Sequence, residues 1–153
     1  DKPIIGTYNV NSEGSSDMYY KGANMLHTLR QLVNDDEKWR LLLRGLNKTF
    51  YHQTVTTQEI ENYISEFLGL DQTAFFDQYL RDVRIPNFEY YIDDNELSYR
   101  WNNVVKNFEM PIEIEVNKEN YWLYPNSDWQ KMEINTSEIR IDRNYYIEHK
   151  KLK

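Results

Sequence analysis

The sequence predicts an α+β fold in two parts, an all-α region of about four helices followed by a small Ig-like β-sandwich. The spacing of apolar residues changes along the chain from the helical period of 3.6 to the strand period of 2. The change falls near Pro86, and all five glycines lie before that proline. We therefore predict a helical domain over residues 1–86 and a β-sandwich domain over residues 87–153.

Composition restricts the classes of function. The chain has 153 residues, with 18 Lys+Arg against 25 Asp+Glu and a formal charge of −7. Non-specific nucleic-acid binding needs a basic surface, so we expect no nucleic-acid partner. No apolar run reaches the roughly 18–20 residues that a transmembrane helix needs. The chain has no cysteine, so it can form neither disulfides nor thiolate metal sites.

The first two helices are predicted from apolar stripes at helical spacing. The first helix is capped at its start by Ser16 or Asp17, and its expected core stripe is Met18, Gly22, Met25, Leu26, Leu29, Leu32 and Val33. The second helix covers about 36–50, and its expected core stripe is Trp39, Leu42, Leu43, Leu46 and Phe50.

The next two helices are predicted mainly from their ends. Thr56 is followed three residues later by Glu59, which is the spacing of a capping box, and Gly69 supplies a C-terminal stop. The fourth helix spans about 72–82 and is capped by Asp71.

Six short strands are predicted after Pro86. A hairpin pairs residues 88–92 with residues 97–101, and strict alternation over residues 112–116 indicates a strand with one solvated face. Three further strands are expected over residues 121–124, 129–134 and 139–147. Short strands with turn signals about every ten residues are typical of a small sandwich.

One segment of the first helix, DMYYKGANMLHTLR at residues 17–30, has unusual features. Glycine inside a helix costs about 1 kcal/mol relative to alanine, so we expect another element to pack against the backbone at Gly22, where Ala23 is also small. Tyr19 lies one turn before Ala23 and shares this face. A hydroxyl donor aimed at a developing oxyanion in a dry site contributes about 3–4 kcal/mol of transition-state stabilisation. On spacing alone, a core or rim tyrosine is the simpler interpretation.

The rest of the chain carries no motif with evident chemistry. The three histidines, His27, His52 and His149, are not at ligand spacing, so we expect no metal site and no bound cofactor in this chain. There is no G-x-S-x-G nucleophile elbow. The acidic pairs are best interpreted as helix caps, turn residues and the solvated face of a strand.

The segment YYKGANMLHTLR resembles the Y-x-K-G-A-x-x-L-x-x-L-R segment of the aminopeptidase N-like zinc metallopeptidases, the gluzincins. The resemblance continues through residues 36–39 and 54–59 and through FFDQYL with the following Arg84-Ile85-Pro86, and it covers about residues 17–117. Tyr79 and Arg84 depart from the tryptophan and glycine that are common in the family, at positions away from its chemistry.

This resemblance implies that residues 1–86 are the C-terminal helical part of a thermolysin-like catalytic domain, followed by a β-sandwich as in several members. It implies that Tyr19 hydrogen-bonds the oxyanion of the tetrahedral intermediate. The family's zinc ligands, H-E-x-x-H and a downstream Glu, and its G-x-M-E-N loop for the substrate amine would lie upstream of Asp1. Zinc and the peptide substrate are therefore expected in a full-length parent aminopeptidase, and this chain alone is expected to be inactive.

Two alternatives remain open. The parent could be a non-enzymatic relative with a degraded zinc motif, acting as a peptide- or partner-binding module. The sandwich could bind carbohydrate through Trp101, Trp122 and Trp129, although tryptophan in a small sandwich is more often core. We also expect the helical face that would meet the missing catalytic half to be apolar, which would allow an artefactual homodimer.

Overall fold

The computed structural model describes residues 2–153 and has the predicted α+β layout. Four helical segments come first: α1 (Asp17–Val33), α2 (Asp36–Thr49), α3 (Thr57–Leu68) and α4 (Thr73–Phe76), the last of which continues as a π-helical turn (Asp77–Arg81). Seven strands follow: β1 (Asn87–Asp93), β2 (Glu96–Asn102), β3 (Ile112–Val116), β4 (Glu119–Leu123), β5 (Gln130–Glu133), β6 (Arg140–Ile141) and β7 (Glu148–Lys151).

The strands form two small sheets that give the C-terminal part a sandwich-like form. One sheet has the order β5-β2-β1-β7 and the other the order β4-β3-β6. The predicted hairpin is present as β1 and β2, in which Phe88 lies opposite Trp101. Strand β7 joins β1 in parallel, and all other pairings are antiparallel. The buried residues of both sheets belong to one apolar cluster: Phe88, Tyr90, Leu97, Tyr99, Trp101, Ile112, Ile114 and Val116.

The last predicted strand, residues 139–147, is wrong as a single element. The structure divides this stretch between β6 and a turn, and β7 begins only at Glu148 in the other sheet. The carboxylate of Asp142 accepts a hydrogen bond from the backbone N–H of Asn144 at 2.9 Å, which favours a turn over a continuous strand. Strand-forming residues therefore lie on both sides of a turn, with Ile139 and Ile141 before it and Tyr145, Tyr146 and Ile147 after it.

The core stripe predicted for α1 is partly wrong. Met25 and Leu29 are buried as expected, but Met18 is 49% exposed and Leu26 is 41% exposed. The buried face is instead completed by Lys21 and Thr28. Both of these polar side chains make hydrogen bonds to distant parts of the chain. The helix therefore buries the face that carries Lys21 and Thr28 and leaves Met18 and Leu26 exposed.

The predicted ends of α3 are confirmed, and the predicted cap of α1 by Ser16 is wrong. The capping box of Thr56 and Glu59 is present, and Gly69 has the left-handed backbone (φ +71°) that ends α3. Ser16 makes no capping hydrogen bond from its side chain, and Ser15 Oγ accepts the N–H of Asp17 instead.

The fourth helix begins at Thr73, after the N-cap Gln72, whose side chain makes no capping bond. The Asp71 carboxylate accepts from the N–H of Thr73 at 2.8 Å. The end of this helix widens into the π-helical turn, which the helical spacing of apolar residues did not predict.

Partly buried hydrogen bonds join the helices to the segments that connect the strands. The Tyr79 hydroxyl donates to the carbonyl of Tyr146 at 2.9 Å, and the N–H of Tyr146 donates to Thr28 Oγ1 at 2.9 Å. Gln78 is fully buried, and its side chain bonds the carbonyl of Arg84 and the N–H of Val105. The two parts therefore meet through specific polar contacts as well as through apolar packing.

A buried ion pair lies on the outer face of the four-stranded sheet. Glu89 is only 6% exposed, and one of its oxygens accepts from Arg100 Nε at 3.0 Å and Nη2 at 2.8 Å. Its other oxygen accepts from Asn102 Nδ2 at 2.9 Å. Burial alone would raise the pKa of Glu89, but the hydrogen bonds from Asn102 and Arg100 and the charge of Arg100 outweigh it and hold that pKa below its usual range.

We expect Glu89→Gln to destabilise the fold at pH 7 by about 2 kcal/mol, below the usual 3–5 kcal/mol for breaking a buried pair because Arg100 is partly exposed. Because the folded-state pKa is lowered, the stabilisation is complete above the unfolded pKa of about 4.3 and is lost as the pH falls through the folded-state pKa. Urea unfolding of both proteins between pH 7 and pH 3 measures this. A free-energy difference that stays constant over that range would contradict the assignment.

Within residues 2–153, no helix combines the length and the apolar character that crossing a bilayer requires.

Candidate functional site

Tyr19 lies near the N-terminus of α1 with its side chain largely in solvent. The residue is 71% exposed, and the neighbouring Tyr20 is 76% exposed. The backbone N–H of Tyr19 donates to the carbonyl of Ser16 at 3.1 Å, so the phenol projects from the first turn of a regular helix. A side chain on a helix is positioned more precisely than one on a loop.

The expectation that another element packs against Gly22 is wrong for the described chain. A Cβ built at Gly22 would meet no atom within 4 Å. Ala23 is exposed, and Leu26 is 41% exposed. Tyr19, Gly22, Ala23 and Leu26 follow the i, i+3, i+4, i+7 spacing of one helix face. We call these four residues the open strip. It presents to solvent a phenol, two small residues and an apolar side chain.

Lys21 lies on the opposite side of the same helical turn. It is only 5% exposed, and its Nζ donates to the carbonyl oxygen of Asp82 at 2.6 Å. Burial lowers the pKa of Lys21, while the nearby Asp17 and Asp82 carboxylates act in the opposite direction.

Sequence reasoning missed the burial of Lys21. The signal was present, since Lys21 lies four residues before Met25 and eight before Leu29, on the face that is buried.

Asp82 is in turn fixed by Arg84. Arg84 Nε and Nη2 lie 2.9 and 2.7 Å from the two carboxylate oxygens of Asp82, and Arg84 Nη1 donates to the carbonyl of Val104 at 3.1 Å. The hydrogen bonds and charge of Arg84 hold the pKa of the Asp82 carboxyl below its usual range. Val104 belongs to the connection between β2 and β3, so this set of contacts reaches from α1 to the sandwich.

The described residues hold no side-chain cluster that fits a zinc site. Across residues 2–153, no group of three or more His, Cys, Asp or Glu side chains is arranged to hold a metal ion. His27 Nε2 lies 3.3 Å from Asn144 Oδ1, and His52 and His149 are exposed in other parts of the fold.

The three tryptophans considered for carbohydrate binding do not share one surface. Trp101 is 1% exposed, and its indole N–H donates to the carbonyl of Met110 at 2.9 Å. Trp122 is half-buried on β4, in the three-stranded sheet. Trp129 precedes β5 at the edge of the other sheet, where the Arg100 guanidinium lies 4.5 Å from the centre of its ring.

No known protein-family model matches the chain, and no curated protein matches it in sequence. A solved structure is similar in fold: aminopeptidase A of Legionella pneumophila in complex with aspartic acid, with a TM-score of 0.64 and 15% sequence identity. The match covers 89% of this chain and 18% of that aminopeptidase. This chain therefore has the fold of a segment that makes up less than a fifth of a peptidase.

Proposed function

We propose that this chain is a C-terminal piece of a zinc-dependent aminopeptidase that removes N-terminal residues from peptides. In this proposal residues 1–86 are the last helices of the catalytic domain, and residues 87–153 are a β-sandwich that follows them. The observation that carries the proposal is the open strip: the tyrosine of the Y-x-K-G-A segment is 71% exposed, and no described residue comes within 4 Å of a Cβ built at Gly22 on the same helix face. The similarity in fold to a segment of an aminopeptidase supports it.

The proposed role of this chain in the reaction is a single hydrogen bond. Hydrolysis of a peptide bond passes through a tetrahedral intermediate whose former carbonyl oxygen carries negative charge. The hydroxyl of Tyr19 would donate a hydrogen bond to that oxygen. This hydrogen bond would become stronger as negative charge develops on the oxygen. Zinc belongs to the proposed parent enzyme, and the described residues supply no ligand set for it.

Hydrolysis of aminoacyl p-nitroanilides by the full-length protein and by this chain tests the proposal. We expect the full-length protein to release p-nitroaniline and this chain to release none, because a donor without the rest of the site has no reaction to assist. A metal chelator should abolish the activity, and added zinc should restore it. If the full-length protein is inactive on a panel covering apolar, basic and acidic residues, the non-enzymatic binding module becomes the better interpretation.

A further inference from the structure

We propose that Lys21 is a positioning residue for Tyr19, and that it acts by fixing the first turns of α1 to the β-sandwich. This inference rests on the proposed role of Tyr19 and adds to it a function for the sandwich, which is to serve as the rigid body that sets the direction of the phenol.

The burial of Lys21 calls for a reason beyond packing. Lysine is rarely buried, and removing an ammonium from water is costly unless it is well paired. An apolar side chain of similar length would fill the same space between α1 and the π-helical turn without that cost. What the ammonium adds is a directional contact, because its Nζ donates to the Asp82 carbonyl at 2.6 Å and a hydrogen bond weakens steeply when its length or angle departs from the preferred range.

The acceptor of this bond is itself held in place. The backbone leaves the π-helical turn at Asp82 in an extended conformation (φ −110°, ψ 149°). Arg84 binds the Asp82 carboxylate and the carbonyl of Val104, and Gln78 binds the carbonyl of Arg84 and the N–H of Val105. Each of these bonds is 3.1 Å or shorter. Lys21 is therefore connected to the sandwich through a continuous polar chain.

A second contact anchors the same face of the helix. Thr28 lies seven residues after Lys21, which is two turns further along the same face. Its Oγ1 accepts the N–H of Tyr146 at 2.9 Å and donates to the carbonyl of Asn24. Two anchors two turns apart fix both the tilt of α1 and its rotation about its own axis.

The direction in which the Tyr19 side chain leaves the helix follows from this rotation. Each helical residue is turned about 100° from the one before it, so Tyr19 points about 200° away from Lys21, to the side opposite the anchors. A small rotation of α1 would displace the phenol oxygen from the oxyanion. A displacement of about 1 Å at a reacting centre can lower the rate about 10²-fold.

Lys21→Met tests the inference, because methionine keeps the length and loses the ammonium. In this chain, we expect amide hydrogen exchange in the first three turns of α1 to accelerate about tenfold while α3 is unchanged. Lys48→Met, which changes an exposed lysine in the last turn of α2, is the matched control and should leave both helices unchanged. Unchanged exchange in α1, or an equal acceleration in α1 and α3, would overturn the inference.

Kinetics of the full-length protein supply the second measurement. We expect Lys21→Met to lower kcat about tenfold with KM within about twofold, and to have little further effect in a Tyr19→Phe background, because both changes remove the same interaction. An equal loss in both backgrounds would show that Lys21 acts by another route. Arg84→Gln, at a more exposed position, loosens the same polar chain and should have a weaker effect in the same direction if Lys21→Met does not fold.

The two proposals fail in different ways. If exchange in α1 accelerates locally but Tyr19→Phe leaves kcat unchanged, the proposed role of Tyr19 is wrong and the anchoring of α1 by Lys21 stands. If exchange does not change, the positioning role is wrong whatever the full-length protein catalyses.

Discussion

Tyr19→Phe in the full-length protein is expected to lower kcat about 10²–10³-fold while KM stays within about twofold, the size of loss seen when one oxyanion donor is removed. The change removes only the hydroxyl and keeps the ring. Because Tyr19 is 71% exposed in this chain, the fold does not depend on that hydroxyl, and the loss would be one of transition-state binding. Steady-state kinetics on an aminoacyl p-nitroanilide measure both constants.

Tyr20→Phe is the matched control for that experiment. Tyr20 is the next residue on the same helix, is 76% exposed, and is turned about 100° away from Tyr19. We expect its kcat to equal that of the wild type. Wild-type kcat in Tyr19→Phe, or the large loss in Tyr20→Phe instead, would remove Tyr19 from the mechanism.

The largest expected effect on stability is that of Tyr79→Ala, about 3–5 kcal/mol, as for other large aromatic-to-alanine changes in cores. Tyr79 is fully buried, its ring lies 4.8 Å from that of Phe75, and its hydroxyl contacts both the carbonyl of Tyr146 and Met110 Sδ. Truncation would therefore open a cavity and leave a buried carbonyl without its donor. Since these contacts join the helices to the sheets, we expect both parts to lose stability together.

Chemical unfolding followed by far-UV circular dichroism and by tryptophan fluorescence measures this prediction with two independent probes. Trp39 lies on α2, so both proteins carry Trp39→Phe, which leaves Trp101, Trp122 and Trp129 in the sandwich as the only fluorophores of this kind, while the dichroism signal reports mainly on the helices. Both transitions should shift to lower denaturant by the same amount. Tyr51→Ala, at a 71% exposed site, should shift neither by more than about 0.5 kcal/mol. A loss confined to one probe would mean that the two parts unfold independently.

Features that depend on neighbouring residues were predictable from the sequence. The capping box of Thr56 and Glu59 involves residues three apart, and the alternation of Ile112, Ile114 and Val116 is a local consequence of a sheet with one buried face. The layout of helices followed by a sandwich follows from the same short-range patterns.

Features that depend on distant partners were not predictable. The helical spacing of Lys21 and Thr28 relative to Met25 and Leu29 indicated the buried face, but it could not identify their hydrogen-bond partners, which lie 61 and 118 residues further along the chain. The division of residues 139–147 depends on which sheet edge each half joins. Exposure of Tyr19 and the open space at Gly22 likewise depend on what packs beside α1. Tyr19 itself was singled out by the resemblance of its segment to a peptidase motif.

The central claim is that the Tyr19 hydroxyl contacts the oxyanion, and inhibition by a tetrahedral phosphonate analogue of the intermediate tests it most directly. In the full-length protein, Tyr19→Phe should weaken this inhibitor about as much as it lowers kcat/KM, because both report transition-state binding. Inhibition by a free amino acid, which lacks the tetrahedral centre, should not change. If the phosphonate inhibits the wild type and Tyr19→Phe equally well, the account is contradicted.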